Sequence, residues 1–184
     1  MSGSVGDNTA RASGVIASAG GGAILQVKSV AVTSTISVGS STTPVAITAF
    51  DIAFTPTADT SKLCLQASLS TGGDGYRVGG YFYDSTGAAI ISPIGDAGGS
   101  RQRVTFGSMG SMAGDALPVV SYTAWFTPGD TTTRTLQVWG ACSGAGNLYI
   151  NRTGNDTNNN TLFHARDAST FTITEYDGSL VTLT

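Results

Sequence analysis

The fold is decided by Lys62-Leu63-Cys64-Leu65-Gln66-Ala67-Ser68-Leu69-Ser70, where apolar and small polar residues alternate without a break. Leu63, Leu65, Ala67 and Leu69 fall on one face, and Cys64, Gln66 and Ser68 on the other. A period of two marks a half-buried strand, because successive side chains leave opposite faces of the pleated backbone. Burying each leucine contributes about 1.5–3 kcal/mol. Gly72-Gly73-Asp74-Gly75 then ends the run with turn residues.

Outward from this strand the same period recurs. On the N-terminal side Leu25-Gln26-Val27-Lys28, Val30-Ala31-Val32 and Ile36-Ser37-Val38 alternate. Ser40-Ser41-Thr42-Thr43-Pro44 interrupts them and Val45-Ala46-Ile47-Thr48-Ala49 resumes. A phase slip near Phe50, before Ile52-Ala53-Phe54, indicates a bulge or corner. On the C-terminal side residues 76–84, 88–91, 101–106, 117–126 and 134–142 read as strands, with Asp84-Ser85-Thr86-Gly87 as a hairpin-like turn. Leu148-Tyr149-Ile150 and residues 169–175 complete the set. About eight to ten short strands, with turns every ~8–12 residues, predict an all-β antiparallel sandwich or jelly roll. That domain spans residues 23–184.

Composition agrees. Only 11% of the 184 residues are charged, Glu175 is the sole glutamate, and Lys28 and Lys62 are the only lysines. Exposed helix faces are built from Glu and Lys, so helices are disfavoured. A net charge of −3 and a pI near 4.8 offer nothing to a phosphate backbone, and Arg77, Arg101, Arg103 and Arg134 are scattered. The reading is no nucleic-acid partner. No apolar run reaches the roughly 20 residues of a membrane span, and no signal peptide is visible, so no membrane insertion is expected. Assembly in a cytosol would keep Cys64 and Cys142 reduced, and whether they pair stays open.

Residues 1–22 differ from the rest. Gly, Ser and Ala dominate and large apolar side chains are too few to fold alone. A floppy terminus is the bland reading. The favoured one is an extended docking arm that orders on assembly, with Val5, Asp7, Asn8, Arg11, Val15 and Ile16 as its contacts.

The chain closes on Gly146-Asn147-Leu148-Tyr149-Ile150-Asn151-Arg152, then Asn155-Asp156-Thr157-Asn158-Asn159-Asn160, then Ala168-Ser169-Thr170-Phe171-Thr172-Ile173-Thr174-Glu175. With these go Gly6-Asp7-Asn8-Thr9-Ala10-Arg11-Ala12-Ser13-Gly14, Ile52-Ala53-Phe54-Thr55-Pro56 before Ser61-Lys62-Leu63, and Gly95-Asp96-Ala97-Gly98-Gly99-Ser100-Arg101. In order and spacing the chain resembles the jelly-roll tip and knob domains of tailed-phage fibres, especially of marine and cyanobacterial phages. The resemblance covers nearly the whole chain.

It implies a non-enzymatic virion structural protein, a homotrimer packed around an axis in the manner of tumour necrosis factor and C1q. Two departures matter. The chain continues past Glu175 into Leu180-Val181-Thr182-Leu183, which suits an extra edge strand or a neighbour contact, and only 22 residues precede the barrel where fibre tips sit on long shafts. The expectation is therefore a capsid decoration (cement) protein, assembled in the host bacterial cytoplasm and displayed on the virion surface. Its arm would dock on another virion protein such as a major capsid or tail protein. The alternative is a receptor-binding tail-fibre tip that recognises host surface polysaccharide.

Chemistry finds little support. His164 is the single histidine and has no indicated partner, and no Gly-x-Ser-x-Gly elbow or phosphate loop occurs. The loop at 155–160 carries one carboxylate and lacks a calcium-binding frame, so it reads as a solvated turn. No catalytic residue, cofactor or metal site is expected. The rings of Tyr76, Tyr81, Phe82, Tyr83, Trp125 and Trp139 admit core and interface packing or a sugar-stacking platform. The candidate glycan contacts are Tyr76, Trp125, Asn155 and Asn158.

Overall fold

A computed structural model describes residues 23–74, 77–107, 114–142, 146–158 and 165–183. The docking arm at 1–22, Tyr76, His164 and most of the loop at 107–115 lie outside the described residues. The strands are β1 (Ile24–Val32), β2 (Ile36–Val38), β3 (Val45–Ala46), β4 (Ile52–Phe54), β5 (Lys62–Gly73) and β6 (Val78–Asp84). They continue as β7 (Ala89–Ile91), β8 (Phe106–Gly107), β9 (Val119–Phe126), β10 (Arg134–Cys142), β11 (Leu148–Ile150) and β12 (Ser169–Tyr176).

These strands collapse into eight lines, because short consecutive pieces share a partner. β3 and β4 both lie along β10, β7 and β8 along β6, and β11 and β12 along β5. β1 and β2 follow β12 and β11 in turn. Sheet one runs β1/β2, β11/β12, β5, β9; sheet two runs β3/β4, β10, β6, β7/β8. The first line pairs with the eighth, the second with the seventh, the third with the sixth and the fourth with the fifth, all antiparallel. A ribbon folded in this order and rolled up is a jelly roll. The chain is an all-β antiparallel sandwich of that topology.

The core forms where the alternation points. Leu63, Leu65, Ala67 and Leu69 of β5 are all buried, and Phe82, Leu136 and Val138 meet them from sheet two. An aromatic column crosses between the sheets. Phe106 stacks on Tyr122 at 4.1 Å, Tyr122 meets Phe82 at 4.6 Å, and Phe82 meets Phe171 at 5.3 Å. Gly80 makes room for that column, since a Cβ there would sit 2.6 Å from the Phe106 ring and 2.0 Å from the Trp139 carbonyl.

Buried polar groups tie the ends. Glu175 is fully buried and accepts hydrogen bonds from Gln26 Nε2 (2.5 Å), Thr57 N (2.6 Å) and Thr57 Oγ1 (2.9 Å). It thereby fastens the β4–β5 loop to sheet one. At the β6–β7 turn, buried Arg134 reaches Asp84 at 2.5 Å, Pro128 O at 2.8 Å and Asp130 at 2.9 Å. Asp84 in turn accepts the backbone N–H groups of Thr86 and Gly87, which shapes the expected hairpin.

Three local expectations change. The phase slip near Phe50 is a single 3-10 turn, Thr48–Phe50, that carries one sheet line from β3 to β4. Residues 101–106 are not a full strand; only Phe106–Gly107 pairs. The preceding segment folds back on itself instead, with Gly95 N donating to Val104 O, and Thr105 N then donates to Gly80 O of β6. Leu180 to Leu183 adds no strand either. A turn in which Ser179 N and Oγ donate to Asp177 breaks the line, and Leu180 is left 59% exposed.

Candidate functional site

The closing stretch that carried the family resemblance has a structural explanation. Leu148 and Ile150 point into the core, while the Tyr149 hydroxyl donates to Asp74 at 3.0 Å beside two donors of Asn147. Burial pushes the Asp74 carboxyl up, but those donors and the Arg152 charge outweigh it and hold it below its usual value. The Arg152 guanidinium lies 3.6 Å over the Tyr149 ring.

Asn151 occupies a fault in sheet one. It is fully buried at φ 61°, where the chain leaves β11 and heads for β12. Its Nδ2 donates to Val32 O (2.7 Å) and Ser34 O (3.0 Å), at the matching break between β1 and β2, and its Oδ1 accepts from Ser169 Oγ at 2.6 Å. Ser169 Oγ also accepts the Ser70 N–H, and the Ser70 hydroxyl donates to Asp167. One asparagine therefore splices two interrupted lines.

In the Asn-rich loop Asp156 pairs with Arg166 at 2.6 Å and Arg152 at 3.5 Å, so its carboxylate is already matched by two cations. Asn155 Nδ2 donates to Asp115 at 2.5 Å, and Asn158 is exposed. Among the described residues no three His, Cys, Asp or Glu side chains converge on a metal-sized point.

The outer face of sheet one is nearly free of charge. Across its lines run Ala31, Thr170, Ser68 and Ser121, then Ser29, Thr172, Gln66 and Thr123, then Val27, Thr174, Cys64 and Trp125. Lys62 appears only in the next row, opposite Tyr176. Ile24, Leu25, Val27 and Val119 remain exposed along the margins. Trp125 leans on Tyr176 at 5.3 Å, and Cys64 beneath is buried. Burial raises the Cys64 thiol; burial and then the Asp74 charge raise that of Cys142. The two lie in different sheets and are not joined.

Trp125 stands opposite Cys64, near the start of β5, whereas the loop holding Asn155 abuts Gly73 at its end. At ~3.3 Å per residue this separates them by roughly 30 Å. The structure does not gather Trp125, Asn155 and Asn158 into one contact surface.

It gathers other rings instead. On the outer face of sheet two Trp139 lies directly opposite Tyr81 and stacks on it at 5.9 Å, while Tyr83 meets Trp139 at 4.3 Å. Trp139 Nε1 donates to Gln137 Oε1 at 2.9 Å, and Gln137 Nε2 donates to both Asp51 oxygens at 3.0 Å, which fixes the indole. Beside the rings is a cleft of about 360 Å³ lined by Pro44, Tyr81, Ile90, Ile94, Arg101 and Arg103. A second hollow of about 620 Å³ adjoins it through Gln102. The signal in the sequence was the alternation of Tyr81-Phe82-Tyr83 and Gln137-Val138-Trp139, but only the register brings the two strands' outward rings together.

The site thus belongs to a jelly-roll β-sandwich that presents two contrasting sheet faces. No family model matches the chain, and no curated protein does. Solved structures similar to it include VP2 of infectious bursal disease virus. The VP2 subviral particle gives a TM-score of 0.40 at 13% identity, over 83% of this chain and 37% of that one. The T=1 particles derived from infectious bursal virus give 0.41 at 15%, over 82% and 36%. The chain spans little more than a third of the length of those it matches.

Proposed function

We propose that this chain is a non-enzymatic virion structural protein of the tailed-phage type, a jelly-roll knob that forms a homotrimer and docks through residues 1–22 on another virion protein, as a capsid decoration protein. The observation that supports self-association is the outer face of sheet one. A solvent-facing sheet normally carries lysines and glutamates that deter association. Three successive rows of this face carry none, Val27 in one of them is exposed, and Ile24 and Leu25 add apolar surface beside it. Such a face suits burial against a like, uncharged face of another copy. The arm would leave from the same margin, because Ala23 O accepts the Asp177 N–H at 2.9 Å where β1 begins.

Sedimentation tests the first part. The wild type should sediment as a trimer, and Thr172→Lys combined with Gln66→Lys should give folded monomers. A monomeric wild type at micromolar concentration would refute it. Deleting residues 1–20 tests the second: the shortened protein should remain a trimer and lose binding to virions, and retained binding would sink the docking arm.

A second reading, a receptor-binding fibre tip, is favoured by the ring cluster of Tyr81, Tyr83 and Trp139. Large rings gathered on an outer face suit recognition of a ligand with an apolar side. Purified protein that stains host cells and competes with virion adsorption would support that reading.

A further inference from the structure

We propose that the cleft on the outer face of sheet two binds an acidic saccharide, its ring seated against the wall of Pro44, Tyr81 and Ile90 and its carboxylate against Arg101 and Arg103. The inference deepens the fibre-tip reading and rests on it only for the source of the saccharide.

Three observations converge. The first is the wall. The indole of Trp139 is held by the Gln137–Asp51 chain and stacks on Tyr81, the ring of this cluster that borders the cleft and is itself 7% exposed. That wall is preorganised and, with Pro44, Ile90 and Ile94, offers an apolar rim to the C–H side of a sugar.

The second is charge. Arg101 and Arg103 line the cleft beside Tyr81, and no Asp or Glu lines it with them. Arg103 Nε donates to Gly95 O at 2.6 Å, which orients that guanidinium and leaves its terminal nitrogens available. Among the described residues neither arginine forms an ion pair, in a chain whose net charge is −3. Two guanidiniums beside a wall of Pro44, Tyr81, Ile90 and Ile94 select a ligand that is anionic at one point and apolar on one face. A planar carboxylate fits the guanidinium fork through paired hydrogen bonds.

The third is size. The cleft of about 360 Å³ falls in the ~300–1,000 Å³ range of small-ligand sites. The adjoining hollow extends it along the sheet for a further sugar unit.

Titration calorimetry of the full chain with oligogalacturonate and oligoalginate tests this, with neutral galacto-oligosaccharide and oligo(dT) as comparators. At least one uronate oligomer should bind, weaken with added salt, and lose about tenfold or more in affinity in Arg101→Gln/Arg103→Gln. Arg101→Gln alone leaves the Arg103–Gly95 contact intact and should show part of that loss. Trp139→Ala removes the ring that backs Tyr81 and should weaken binding while circular dichroism stays that of the wild type. Binding of neither uronate, equal affinity in the arginine variants, or tighter binding of the neutral sugar or of oligo(dT) would overturn the inference. Protein that stains host cells yet ignores both uronates would keep the fibre-tip reading and remove the acidic-sugar site.

Discussion

Replacing Asn151 by alanine should be among the most damaging single changes in this protein. The residue is fully buried and its side chain makes three hydrogen bonds, at 2.7, 3.0 and 2.6 Å, to Val32 O, Ser34 O and Ser169 Oγ. Each partner left unsatisfied costs about 1 kcal/mol or more. The backbone sits at φ 61°, which asparagine tolerates and alanine enters at a cost of about 1–2 kcal/mol. The terms together give about 4–5 kcal/mol, roughly a quarter or more of the ~5–15 kcal/mol that holds a typical domain together. Trp125 lies in sheet one and Trp139 in sheet two, so urea unfolding followed by tryptophan fluorescence reports on both. With a slope of ~2 kcal/mol/M, the midpoint should fall by about 2 M. Asn151→Gly relieves the backbone and should recover up to about 1 kcal/mol. A midpoint lowered by less than about 0.5 M at unchanged slope would refute the splice.

Three further outcomes are expected. Burial raises the Glu175 carboxyl, but hydrogen bonds from Ser61, Gln26 and Thr57 outweigh it, so its folded pKa lies below the unfolded one. Its ionised form stabilises the fold fully above the unfolded pKa, and this is lost as pH falls through the folded pKa; Glu175→Gln should flatten the acid limb of Tm against pH, and an unaltered limb would count against the pin. Arg134→Met strands the buried Asp84 carboxylate and should cost about 3–5 kcal/mol in urea unfolding, part of it recovered by adding Asp84→Asn. Tyr122 keeps a buried hydroxyl with no partner among the described residues, so Tyr122→Phe should leave stability unchanged or raise it by up to about 1 kcal/mol; a loss of that size would show that the hydroxyl is bonded.

Much of the fold was legible because alternation reports directly on which face a residue takes. Leu63, Leu65, Ala67 and Leu69 are in the core, and Phe82 points away from Tyr81 and Tyr83, as the period of two requires. Partners were not legible. Period says nothing of which distant strand lies alongside, so neither the β1–β12 pairing nor the meeting of Trp139 with Tyr81 was visible. The sequence accordingly points to Tyr76, Trp125, Asn155 and Asn158 as glycan contacts, although Trp125 and the loop of Asn155 lie at opposite ends of β5. The buried acceptor role of Glu175 was hidden for a related reason. Its donor Gln26 lies 149 residues away, and only the closed roll brings them together. Residues 101–106 misled because Arg101-Gln102-Arg103-Val104 alternates like a strand, while Gly98 and Gly99 let the chain double back on Val104.

The order of the ribbon also bears on how the molecule is made. The last of the eight lines, β11/β12, slots between β1 and β5, both of which emerge from the ribosome long before it. Until then those two strands present naked edges to each other across a gap. Closure must await β12, and pairings this remote in sequence form slowly. In a crowded cell the same vacant slot accepts the terminal strand of a neighbouring copy, so strand exchange between molecules is the misfolding route built into this topology.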